Sequence, residues 1–194
     1  MSSKARAGEA EVIAFRDVAA FEAWLDGHVD VHAGVWLKLA KKGSGIPSLT
    51  SDEAVDVGLC YGWISGQRKS LDETWYLQKY VPRRPRSRWS QVNVDKVEAL
   101  TAAGRMRPSG LAEVRAARAD GRWAAAYESQ RNATVPPDLA AALATSPRAA
   151  AAFEALGKTQ RYAVILGVVT ARTDAARAAQ LRRAIAALEA SAAG

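Results

Sequence analysis

Hydrophobic positions first recur at helical spacing at Val18, Phe21, Trp24 and Leu25, behind Asp17, whose short acceptor side chain suits an N-cap. A shorter apolar run, Glu11–Phe15, reads as a strand ahead of that helix. The period then changes. From Gly34 to Lys41, Val35, Leu37 and Leu39 alternate with Trp36 and Lys38, which predicts a second strand. Thr50 followed three residues later by Glu53 forms a capping box and opens a helix to about Tyr61. Trp63–Gly66 and Thr74–Val81 read as a pair of strands. In the second of these, Trp75 and Leu77 face one way and Tyr76, Gln78 and Tyr80 the other.

Beyond the strands the pattern is helical. Pro82 and Pro85 interrupt regular structure and hold an extended arginine loop. Ser90 caps a helix through Val94, Val97 and Leu100 that Gly104 closes, and Pro108-Ser109 start another that ends near Asp120-Gly121. Asn132–Pro137 reads as a linker. Ser146-Pro147 opens a helix closed by Gly157, Thr159 opens the next, and Thr173-Asp174 opens the last. The expected architecture is therefore α+β. Residues 1–10 form a flexible tail, 11–131 a small antiparallel sheet with packed helices, and 132–194 an all-helical C-terminal domain. No internal repeat is visible.

Composition narrows the class. A hydrophobic content of 49% in 194 residues is enough for a core and excludes a disordered chain. Much of it is alanine, which favours helix but buries little area, so tryptophan and leucine must fill the core. A single cysteine, Cys60, excludes an internal disulfide and a Cys-rich metal site and fits a cytoplasmic, reducing compartment. The opening MSSKARAGEAE has no apolar stretch of a signal peptide, and no run of about 18 apolar residues exists, so no membrane insertion is expected.

Charge is uneven along the chain. Cys60–Asn93 contains Arg68, Lys69, Lys79, Arg83, Arg84, Arg86 and Arg88 against Asp72 and Glu73, a balance of +5 out of +7 for the whole chain. The same stretch holds Trp63, Trp75, Trp89, Tyr61, Tyr76 and Tyr80. Arginine clamps phosphate or carboxylate with two parallel hydrogen bonds and stacks on aromatic rings. This composition points to an anion-accepting groove lined by Trp63, Gln67, Arg68, Tyr76, Arg83, Arg84, Arg88, Trp89 and Asn93. The competing reading is an internal scaffold, in which arginines stack on tryptophans and fix a long loop. The expected partner is an anionic ligand or a protein, with nucleic acid bound by the arginine loop as the alternative.

Residues that could carry catalysis are weaker. There is no P-loop and no GxGxxG, and Gly43-Ser44-Gly45 is a short flexible turn. His28 and His32 are four apart, but the helix ends before Gly34, which makes them loop histidines. Cys60 lies in an apolar helix with no histidine close in sequence, as a buried thiol would. Ser65, in GWISG, lacks the glycine spacing of a nucleophile elbow. Asp72 and Glu73 are adjacent and point to opposite faces of a strand. No catalytic residue, metal or cofactor is assigned, and an enzyme using Ser65, Cys60 or Asp72 stands as a second alternative.

EAVDVGLCYGWISGQRKSLDETWYLQKYVPRRPRSRWSQVNVDKVEAL, continuing into GRMRPSGLAEVRAARADGRW, spans Glu53–Trp123. This block resembles the YdeI/OmpD-associated, or bacteriocin-protection, family, as do Pro136-Pro137-Asp138-Leu139 and the helix from Thr173 through Arg183. The resemblance implies a soluble bacterial protein, a helical C-terminal domain, and a role in envelope stress or resistance to cationic peptides and bacteriocins. It implies no family-wide catalytic reaction. That family commonly carries aspartate in a GWIDG motif where this chain has Ser65. The expected function is non-enzymatic binding.

Overall fold

A computed structural model describes residues 10–191; the expected tail at residues 1–10 lies, but for Ala10, outside them. The elements are β1 (Val12–Ile13), α1 (Val18–Asp26), β2 (Val35–Ala40), α2 (Ser51–Tyr61), β3 (Trp63–Ser70), β4 (Trp75–Pro82), α3 (Gln91–Ala102), α4 (Pro108–Ala119), α5 (Pro137–Ala144), α6 (Pro147–Ala155), α7 (Lys158–Val169) and α8 (Asp174–Ser191). The fold is α+β with a helical C-terminal region. The chain divides into two compact units, one formed by residues up to Ser87 with Lys96–Ala116, the other by Arg88–Asp95 with the chain from Ala117 onward. Among the described residues no helix is long and apolar enough to cross a membrane.

The first unit is built on a four-stranded sheet of order β1-β2-β4-β3. The β2–β4 and β4–β3 pairs are antiparallel, but β1 pairs parallel with β2, so the sheet is mixed rather than antiparallel throughout. The reason is the connection. α1 lies between β1 and β2 and carries the chain back to its starting end, as a parallel pair requires. The register Val35↔Tyr80 to Ala40↔Trp75 sends Val35, Leu37 and Leu39 to a fully buried face together with Gln78 and Tyr80. Phe21 and Leu25 of α1 and Ala54 and Val57 of α2 are buried in the same unit, and Phe21 meets the Tyr80 ring edge-on at 6.0 Å.

Local chemistry fixes the helix ends. The Asp17 carboxylate accepts from the Ala20 amide and caps α1. Thr50 and Glu53 make the reciprocal capping box of α2. Gly62 ends α2 at φ 78°, a left-handed conformation that disfavours any side chain. Gly110, in α4, lies against the end of α2; a Cβ there would sit 2.1 Å from the Cys60 carbonyl oxygen.

The second unit contains α5–α8. Leu139, Leu143, Ala149, Phe153, Ile165, Val168 and Leu188 form its core. The Arg177 guanidinium bonds the Asp138 carboxylate through Nε at 2.5 Å and Nη2 at 3.0 Å. Trp89 also belongs to this unit, 1% exposed, with its ring 4.9 Å from Trp123. Ser90 and Tyr127 form an isolated parallel bridge beside it.

Candidate functional site

β3 is longer than the apolar pattern suggests because a register shift between Ser65 and Arg68 lets its polar second half continue pairing with β4. Gln78, opposite Arg68 and 5% exposed, resolves the bulge. Its amide nitrogen donates to the Gly66 and Gln67 carbonyls at 2.9 and 3.2 Å. Its amide oxygen accepts from Arg68 Nε at 2.9 Å. Arg68 Nη2 donates to Ser51 Oγ at 3.2 Å, and the guanidinium lies 4.5 Å from the Tyr76 ring centre. The cation is thus oriented by neutral partners. Among the described residues no carboxylate lies within ion-pair distance of it.

Arg68 and Tyr76 form one wall of a cleft of about 770 Å³, within the range that small-molecule sites occupy. The loop after β2, from Lys41 to Thr50, supplies most of the remaining lining, and Ser51 and Asp52 supply the first turn of α2. At this helix start the Ser51 and Asp52 amides have no intrahelical acceptor by position. The helix dipole adds partial positive charge there. Lys41 and Lys42 complete the cationic lining, against Asp52. The Lys41 ammonium is steered by the Asp72 carbonyl at 2.7 Å. Glu53 does not compete for a ligand, because the Thr50 amide and hydroxyl occupy its carboxylate and hold it below the usual range. The cleft is therefore lined by one planar guanidinium, two lysines and a helix N-terminus.

The nine residues singled out from sequence fall in both units. Arg68 and Tyr76 meet at the cleft. Gln67 is exposed on β3 and gives its carbonyl to Gln78. Trp63 is 1% exposed, donates from its indole nitrogen to the Val29 carbonyl at 3.2 Å, and meets Trp24 edge-on. Arg83 is buried and, with Trp63, Asp30, Ser109 and Glu113, lines a smaller hollow of about 310 Å³. Arg84 is exposed, its amide bonded to Ser87 Oγ. Arg88, exposed, Trp89, buried, and Asn93, half-buried, belong to the second unit. Lys41, Lys42, Ser51 and Gln78 were not expected at a site. They are brought to Arg68 by the loop after β2 and by the bulge, neither of which leaves a periodic trace.

The residues weighed for catalysis have other employment. Cys60 is fully buried, and burial pushes its thiol up, away from the thiolate. The Asp72 carboxylate accepts from the Thr74 and Trp75 amides, which hold it ionised within a turn. Ser65 is exposed on β3 opposite Tyr80. His28 stacks on Trp24 at 4.3 Å and donates from Nδ1 to the Trp24 carbonyl at 2.7 Å, past the end of α1. Among the described residues no group of three histidine, cysteine or acidic side chains is placed to hold a metal ion.

Residues 13–113 match a family described as a domain of unknown function (DUF8412). Residues 132–191 match one described as bacteriocin-protection, YdeI or OmpD-associated. The first match covers β2–β4, Ile13 of β1 and the whole cleft lining, with the GWISG and arginine segments. The second covers α5–α8. No curated protein and no solved structure matches the chain.

Proposed function

Because the chain belongs to the DUF8412 family, whose function is unknown, and carries a YdeI/OmpD-associated domain behind it, we propose that it is a non-enzymatic binding protein whose cleft takes a small anionic ligand. The observation that carries this reading is the Arg68 guanidinium, fixed by Gln78, Ser51 and Tyr76 with no carboxylate among the described residues within ion-pair distance. Arg68 is exposed and hydrated, and its fixed orientation beside a helix N-terminus lets an anion take the place of that water at little ordering cost. The buried thiol and the occupied Asp72 carboxylate favour binding over catalysis. The lone buried cysteine fits a cytoplasmic, reducing compartment.

A protective role against cationic peptides, the expectation attached to the YdeI/OmpD-associated domain, fits this cleft only indirectly. Lys41, Lys42 and Arg68 outnumber Asp52 and repel a cationic peptide. Protection through this site then works on an anionic component and not by capture of the peptide. The test is amide chemical shifts on titration with sodium phosphate and with citrate. Saturable shifts at Gly43, Gly45 and Ser51 are expected in the wild type and lost in Arg68→Ala. Shifts that are non-saturable, or unchanged in Arg68→Ala, overturn the reading.

A further inference from the structure

The sheet has a second face, which the cleft does not use. Alternation along β2 and β4 turns Val35, Leu37, Leu39, Gln78 and Tyr80 inward and leaves Trp36, Lys38, Trp75, Leu77 and Lys79 half-buried on the other side. Lys69 of β3, paired with Leu77, joins them. Three ammoniums lie on two indoles: Lys38 is 4.6 Å from the Trp75 ring centre, and Lys69 and Lys79 are 4.7 and 5.3 Å from that of Trp36. Two like charges converging on one ring is an arrangement that isolated surface packing disfavours. Burial and the neighbouring Lys69 both push the Lys79 ammonium below its usual range. Among the described residues no carboxylate forms an ion pair with Lys38, Lys69 or Lys79. Asp72 is near enough to feel Lys38, but its oxygen is held by turn amides.

The register sets the spacing. Trp36 pairs with Lys79 and Ala40 with Trp75, so the two indoles are four residues, roughly 13 Å, apart along the strands. Lysines lie in the interval, Lys38 and Lys69 on either side of Leu77. We propose that this face is a platform for single-stranded nucleic acid, with Trp36 and Trp75 as stacking surfaces and Lys38, Lys69 and Lys79 as phosphate contacts. Flat aromatic surfaces interleaved with lysine suit bases joined by phosphates, since every base has a ring face to stack. The flexible lysine stems let each ammonium move from the indole to a phosphate as a base takes the ring. An anionic protein carries planar side chains only at scattered positions, whereas a nucleic acid strand carries one beside every phosphate. A phosphate between Lys69 and Lys79 also removes their repulsion.

The experiment is fluorescence anisotropy with labelled oligouridylate and oligothymidylate of about eight nucleotides, beside a duplex and heparin, over a salt series. Both single strands are expected to bind more tightly than the duplex. The log–log salt slope is expected near −2, three contacts at about −0.7 each. Trp75→Ala is expected to weaken binding about 5- to 150-fold. Lys38→Gln with Lys69→Gln and Lys79→Gln is expected to flatten the slope while circular dichroism stays native, which keeps the test decisive where Trp75→Ala does not fold. Arg68→Ala is expected to leave oligonucleotide binding intact, so failure here and failure of the anion cleft are distinguishable. The proposal is overturned by no binding at low salt, or by equal affinity for heparin and single strands with Trp75→Ala unchanged. It is equally overturned if Arg84→Ala with Arg86→Ala abolishes binding and the lysine variant does not.

Discussion

Replacing Gln78 by leucine keeps the inner face of β4 filled and deletes three hydrogen bonds. One joins the amide oxygen to the Arg68 guanidinium, and two join the amide nitrogen to the carbonyls of the β3 bulge. A bond to a charged group contributes about 1.5–3 kcal/mol and each neutral one about 0.5–1.5 kcal/mol. Arg68, Gly66 and Gln67 are exposed, so water takes up the freed groups and the lower limits apply. The buried leucine side chain recovers part of the loss. The expected net destabilisation is about 2 kcal/mol, seen in urea as a lower midpoint with an unchanged slope. Hydrogen exchange of the β3–β4 amides should quicken about 30-fold, the same energy expressed as a population of open states. Phosphate affinity should fall as well, because Arg68 keeps only Ser51 and Tyr76 to orient it. A leucine variant as stable as the wild type and equally able to bind phosphate would refute the assignment of Gln78 as the residue that positions Arg68.

Three further outcomes follow from the first unit. The Cys60 thiol, buried and pushed up by burial, should react with an aromatic disulfide reagent only as fast as the protein unfolds, and a fast native-state reaction would reopen the case for a nucleophile. Burial, and secondly the hydrogen bond to Asp26, raises the Tyr61 phenol to about 12. A raised folded-state value means that the stabilisation is whole below the free phenol's pH of about 10 and is lost as pH climbs towards 12. Burial also raises the Tyr80 and Tyr162 phenols, so ultraviolet titration should show several late phenols, of which one moves to lower pH in Asp26→Asn. Gly110→Ala must push α4 away from the Cys60 carbonyl and should lower the melting temperature, with a cost of about 1–3 kcal/mol or more; a neutral effect would show that the crossing is looser than described.

Elements whose signals are local were legible in the chain. Asp17, the Thr50–Glu53 box and the alternation of β2 each act within four residues, and each element lies where its signal falls. The far half of β3 was not legible, because Gln67-Arg68-Lys69-Ser70 has no apolar period and is a strand only through its bulge and pairing with β4. The direction of β1 was hidden for a similar reason: two residues carry no orientation, and the parallel sense depends on α1. At the cleft, Arg68 and Tyr76 stood out by charge and aromaticity. Gln78 did not, since a buried amide in a strand looks like any polar position until the bulge carbonyls appear around it. Tryptophans mark core and surface alike. Trp63 and Trp89 are buried, while Trp36 and Trp75 are only partly so, and only the register separates the two kinds.

The position of β4 has a consequence for synthesis. β4 fills the space between β2 and β3, so one hydrogen-bonding edge of β2 is met only by residues 75–80, about 35 positions after β2 itself is complete. At about 5–20 residues per second, that edge waits roughly 2–7 s on the nascent chain with VWLKLA open to other strands. Lys38 is the one charge in that apolar run. An ammonium in the middle of an unpaired strand is a deterrent to edge-to-edge pairing. Lys38 thus acts as a gatekeeper before the sheet exists, guarding the strand until the β3–β4 hairpin arrives to close it.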